Sequence, residues 1–165
     1  MKLYYYEKSK NHKSADTDVL LQASVGAFCN EENLSPYKGR ILRTSLGKPY
    51  LEGDYLHVGV THTEDTIIIG ISRKPFGIDC ESKSRIPKNP ERVMSRFFTV
   101  GEQQYVKSSE NEREAFLDVW VRKEAYVKFT GEGISGLCGC DVTKLYGFSR
   151  IENHKNLIIY IYKEL

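Results

Sequence analysis

The order of secondary-structure signals predicts an α+β fold. Two similar βαβ-like lobes are expected, residues 1–75 and 76–165, packed as a pseudo-dimer with the active site in the seam. Three observations predict it. Residues 66–73 and 76–81 form β-prone runs separated by the turn signal Lys74-Pro75. Residues 16–28 and 112–129 carry helical patterns without proline. Further strand-like runs lie near both chain ends, so each half alternates strand and helix.

The elements follow in order. Residues 2–6 read as a strand. Residues 16–28 read as an amphipathic helix with Leu20, Leu21, Val25 and Phe28 inward. Residues 30–40 look like a loop. Residues 55–60 and 66–73 are expected as paired strands around a turn at 61–65. Residues 82–90 carry Ser, Lys, Pro and Asn, a loop expected to cross between lobes. Asn89-Pro90 suits a helix start, with proline in the first turn. The long helix 112–129 is rich in helix formers, and Gly131 is a natural stop. Strands are expected near 145–151 and 157–162.

Two stretches carry chemistry. The first is Gly77-Ile78-Asp79-Cys80-Glu81, an acidic pair inside an apolar run. On a strand, residues two apart share a face, so Asp79 and Glu81 project side by side. Two adjacent carboxylates repel unless a proton or cation lies between them. Few, hard oxygen ligands suit Mg²⁺, which also takes substrate phosphate. Two solvated acids at a strand end are the plainer reading of this stretch alone.

The second stretch is the helix. Phe116, Trp120 and Val127 fall on one face, which places Trp120 in the core, with Lys123 and Glu124 flanking that face. Glu124 and Lys128, four apart, are neighbours on the helix surface. They form either an ordinary surface pair or a third metal ligand beside a phosphate contact. Spacing leaves both readings open.

The wording of the motifs is more specific. Gly-Ile-Asp-Cys-Glu precedes, by about 40 residues, Trp120-x-x-Lys123-Glu124-Ala125-x-x-Lys128-x-x-Gly131-x-Gly133. Gly47-Lys48-Pro49-Tyr50-Leu51, Val60-Thr61-His62-Thr63 and Arg96-Phe97-Phe98 with Glu102 lie in the matching order. The set resembles the 4′-phosphopantetheinyl transferases, and among them the surfactin-synthetase-activating type. The resemblance covers roughly residues 41–137. It implies transfer of the phosphopantetheine arm of coenzyme A to a serine of an apo acyl or peptidyl carrier protein, releasing adenosine 3′,5′-bisphosphate. It implies Mg²⁺ held by Asp79, Glu81 and Glu124, and a diphosphate contact at Lys128. Glu124, directly or through a metal-bound water, is the expected base for the serine. His62 matches a contact to the 3′-phosphate, Thr61 a serine at the diphosphate, and Lys48 and Pro49 the adenine loop. Glu102 matches an acid near the metal site. Family members of this type are commonly longer. The shortfall is expected in the first lobe and at the C-terminus, which leaves the 3′-phosphate contacts least defined. A catalytically impaired coenzyme A- or carrier-binding protein of the same fold is the alternative. A different Mg²⁺-dependent phosphotransferase or nuclease is a second, with no glycine-rich phosphate loop to support it.

Composition bounds the rest. The chain has 165 residues, enough for one good core or two small lobes. Hydrophobic residues make up 40% and net charge is +2, which argues against disorder and against a nucleic-acid partner. Lys8, Lys10, His12 and Lys13 form a local basic cluster, either a solvated loop or a grip on a phosphate. The four cysteines lack zinc-site spacing and fit reduced thiols, so a cytoplasmic protein is expected. The first residues are too short and polar for a signal peptide, and no apolar run approaches a membrane span. A monomer is expected.

Overall fold

The computed structural model describes residues 1–11, 13–53, 55–85, 88–152, 154 and 156–164. The described residues form a mixed fold of four α-helices and antiparallel sheets, divided into two units, Met1–Phe76 and Gly77–Leu165.

The first unit contains β1 (Lys2–Glu7), α1 (Ser14–Glu31), β2 (Ile41–Arg43), β3 (Pro49–Leu51), β4 (His57–His62) and β5 (Thr66–Ser72). β5 is central, flanked by β1 and β4, and both pairings are antiparallel. Leu21, Val25 and Phe28 of α1 bury against Ile67, Ile69 and Ile71 of β5. That alternation is the period-two pattern of a strand with one face on a helix. The hairpin β2–β3 went unread in the sequence, where residues 47–51 look like a loop. It is only three residues a side. Its turn needs Gly47 at φ 82° and is closed by Thr44 N–H donating to the Lys48 carbonyl at 2.9 Å.

The second unit contains β6 (Gly77–Ser82), α2 (Pro90–Phe97), α3 (Val100–Lys107), α4 (Glu112–Thr130), a 3₁₀ turn (Gly133–Leu137), β7 (Phe148–Arg150) and β8 (Leu157–Tyr162). β8 is central, between β6 and β7, again antiparallel on both sides. The two units thus share one strand order: first, last, next to last. Because the pairings are antiparallel, neither unit shows, among the described residues, the parallel crossover that a strict βαβ reading implies.

α4 begins at Asn111, whose side chain accepts from Glu114 N–H at 3.1 Å, and ends at Gly131 in the left-handed conformation. It is buried on most sides, through Phe116, Leu117, Val119, Val121, Ala125 and Val127. Trp120, expected in the core, is half-buried and stacks on Phe116. Lys123, expected beside the apolar face, is 1% exposed. Asn89-Pro90 does open a helix, but the chain breaks again at Thr99. Thr99 and Glu102 cap α3 reciprocally, a Thr-x-x-Glu signal present in the sequence. Among the described residues, no helix is long and apolar enough to cross a membrane.

Gly77 sets how closely α4 lies on β6. A Cβ there would fall 1.9 Å from the Ala125 carbonyl and 2.6 Å from the Phe129 nitrogen. Ala125, fully buried, is the small residue facing it. The face of β6 that carries Gly77 therefore meets the helix, and Asp79 and Glu81 share that face. Opposite them in register stand Tyr162, Tyr160 and Ile158 of β8, which belong to the same core as α4. Gly77→Ala is expected to destabilise the protein by about 1–3 kcal/mol through overpacking. Urea unfolding checks it as a lowered midpoint at unchanged slope.

Candidate active site

The second unit brings its predicted residues toward one another. Lys128 donates to Asp79 Oδ1 at 2.6 Å, from helix to strand. Only 11% of the Asp79 side chain is exposed, so water screens this pair less than the exposed pairs worth about 0–1 kcal/mol. Glu124, one turn before Lys128, is half-buried. Burial raises its carboxyl pKa, and the negative charge of Asp79 raises it further, while Lys128 and Arg85 pull it down. Asp79, Glu124, Lys128 and Arg85 are thus coupled electrostatically.

Glu81 takes a different partner. Its Oε2 pairs with Arg85 of the following loop, and its Oε1 accepts from Ser82 N–H at 2.9 Å. Arg85 went unremarked in the sequence, where residues 82–90 read only as a linker. Its signal was spacing: a cation four residues after an acid that already shares a face with Asp79. Ile86 and Pro87 of that loop lie outside the described residues.

The donor set fits a hard divalent cation by its chemistry. It offers carboxylate oxygens from Asp79, Glu81 and Glu124 on two adjacent elements, and the charge of Asp79 adds to burial in raising the Glu124 pKa. In the structure the ammonium of Lys128 and the guanidinium of Arg85 meet the charge of Asp79 and Glu81. Among the described residues, no group of three or more His, Cys, Asp or Glu side chains comes together as a metal cluster.

Glu102, matched to an acid near the metal site, is sealed in the core against Lys123 at 2.9 Å. Neither charge touches solvent. A capping-box reading of Thr99-x-x-Glu102 would have assigned that acid to a helix start.

The remaining candidates belong to the first unit. Lys48 lies in the β2–β3 turn, where burial lowers its ammonium pKa. Pro49 opens β3, buried, as a proline at a strand's first residue can be. Thr61 and His62 end β4. As neighbours on a strand they face opposite sides of the sheet: Thr61 is 3% exposed, opposite Ile68, and His62 is exposed. Lys8 donates to the Thr63 carbonyl at 3.2 Å, which sets one cation of the basic cluster at the turn after His62. Lys10 and Lys13 are exposed, and His12 lies outside the described residues.

Comparison with known proteins gives the family. The sequence pattern of the 4′-phosphopantetheinyl transferase superfamily matches residues 75–158, just over half of the chain. The chain belongs to that superfamily. It is 29% identical to the 4′-phosphopantetheinyl transferase gsp of Aneurinibacillus migulanus over 94 residues, 56% of this chain and 38% of that one. It is 25% identical to a 4′-phosphopantetheinyl transferase of Bacillus subtilis over 134 residues, 79% of this chain and 57% of that one. It is 34% identical to the 4′-phosphopantetheinyl transferase psf-1 of Bacillus pumilus over 92 residues, 54% of this chain and 38% of that one. The matched regions span between 38% and 57% of these relatives' lengths.

The raised pKa of Glu124 gives a pH prediction for the metal-free protein. Unfolded, its carboxyl titrates near its ordinary value of 4.5; folded, it titrates higher. Between those two values the folded chain holds a proton the unfolded chain has lost. Stability contributed at this residue therefore falls as pH rises through that window, and stays low above it. In EDTA, Glu124→Gln is expected to raise unfolding free energy near neutral pH, and to have no such effect below pH 4.5. Urea unfolding of both proteins across that range checks it.

Proposed function

We propose that this chain is a Mg²⁺-dependent 4′-phosphopantetheinyl transferase, of the holo-acyl-carrier-protein synthase kind. It moves the phosphopantetheine arm of coenzyme A to a serine of an apo acyl or peptidyl carrier protein. The single observation that carries this is the Asp79–Lys128 pair with Glu124 beside it, on the two motifs the superfamily pattern matches.

Asp79, Glu81 and Glu124 would hold Mg²⁺. When bound, the ion would neutralise diphosphate charge and stabilise the leaving oxygen. Lys128 supplies a point charge for the same diphosphate. Lys128 and Arg85 now pair with Asp79 and Glu81, and both cations would have to leave these acids for the carboxylates to hold the ion. Glu124 accepts the proton of the carrier's serine, directly or through water. Its raised pKa brings it nearer the working pH of a general base. Burial that raises the pKa also keeps bulk water from the same oxygens.

First-unit residues extend the proposal. Lys48 and Pro49 would lie at the adenine, and Thr61 at the diphosphate. His62 and Lys8 would meet the 3′-phosphate, since Lys8 bonds the turn that follows His62. The four cysteines are free thiols, which supports a cytoplasmic protein, here taken as a monomer.

The test is direct. Incubated with coenzyme A, Mg²⁺ and an apo carrier protein, the chain is expected to add one phosphopantetheine arm, read as carrier mass. EDTA is expected to stop the gain. Glu124→Ala and Lys128→Ala are each expected to slow transfer by roughly 10²–10³-fold while circular dichroism stays unchanged. Coenzyme binding without any gain of mass would leave a binding protein rather than an enzyme.

A further inference from the structure

The most deeply buried charges in the second unit do not belong to the carboxylate site. Glu102 and Lys123 are 0% and 1% exposed and pair at 2.9 Å. Every donor of the ammonium is used. Besides Glu102, Lys123 Nζ donates to the Leu137 carbonyl at 2.8 Å and to the Cys140 carbonyl at 2.6 Å. Glu102 is equally occupied. Its Oε2 also accepts from Thr99 N–H at 2.7 Å, and its Oε1 accepts from Val142 N–H at 2.8 Å.

The pair therefore gathers three things: the start of α3, the middle of α4, and the backbone from Leu137 to Val142. That backbone belongs to no α-helix or strand. It also walls an open cleft of about 560 Å³ lined by Tyr126, Glu132, Ser135, Gly136, Gly139 and Cys140.

We propose that Lys123 is a positioning residue for the transferase site, acting through the rotation of α4; this rests on the function proposed above. Lys123 and Glu124 are consecutive, about 100° apart around the helix. Fixing one side chain inside the core fixes the direction of the other. An apolar residue in the place of Lys123 would tolerate a small roll of the helix, because hydrophobic contact has no direction. An ammonium shared between two carbonyls and a carboxylate does not. A roll would leave a buried charge or a buried carbonyl unpaired. Lys123 thereby holds Glu124 toward Asp79, and holds the 137–142 segment on the helix's other side. Gly77 and Ala125 fix the helix's distance from the strand, and Lys123 fixes its angle.

The test separates positioning from mere stability. Two variants are compared with the wild-type chain: Lys123→Met, and Lys123→Met combined with Glu102→Gln. Each is read by thermal midpoint, by hydrogen exchange at amides 137–142, and by kcat and KM for coenzyme A with apo carrier protein. The single variant strands a buried carboxylate, so its midpoint should drop. The double variant removes both charges, so most of the midpoint should return. Both are expected to show faster exchange at 137–142 and kcat lower by about 10–100-fold, the usual cost of losing a supporting partner. KM should change by less than about threefold, since Lys123 does not touch the coenzyme. A double variant with wild-type kcat and wild-type exchange would overturn the proposal. A wild-type chain that transfers nothing would overturn the transferase reading instead, and exchange at 137–142 would then decide the clamp by itself.

Discussion

A residue with no side chain governs this site. At Gly77 the strand β6 comes so near α4 that a single added carbon would meet the helix backbone at 1.9 Å. That closeness lets Lys128 reach Asp79 across the gap, and lets Glu124 feel its charge. Had β6 carried a larger residue there, the helix would sit further off. The Asp79–Lys128 bond would lengthen past useful reach, and the coupling to Glu124 would fade with distance. The glycine and alanine of the two motifs are thus as much part of the site as the acids.

Charge is then distributed between two kinds of place. In the core, Glu102 and Lys123 are wholly enclosed and wholly bonded, so neither is free to exchange partners. At the site, Asp79 and Glu81 hold basic groups that retain access to solvent: Lys128 is 34% exposed and Arg85 51%. Partners of that kind can be given up when another cation arrives. An enclosed pair suits orientation, and a half-open pair suits exchange. The same helix carries both, with Lys123 next to Glu124.

Much of this was legible in the sequence, and the misses have physical causes. Asp79 and Glu81 announced a shared face because side chains alternate along a strand, and the register of β6 on β8 is unbroken. Glu124 and Lys128 announced a shared helix surface by their spacing. Their meeting with Asp79 needed the closeness at Gly77, which spacing along one chain cannot express. Lys123 looked like a flanking surface cation because buried lysines are rare, and only its distant partners Glu102, Leu137 and Cys140 make burial affordable. The hairpin β2–β3 was hidden by its length: three residues a side give no alternation to read. Arg85 was hidden by a linker-like composition. Trp120 was placed too far inward because its ring stacks along Phe116 at the core's edge instead of filling its centre.

The central claim is that one divalent ion can be held jointly by β6 and α4. Paramagnetic broadening by Mn²⁺, standing in for Mg²⁺ in the presence of coenzyme A, tests it most directly. Amide signals near residues 79–81 and 124–128 should broaden together at low ion stoichiometry. Broadening of one segment without the other, or of neither, would contradict the account.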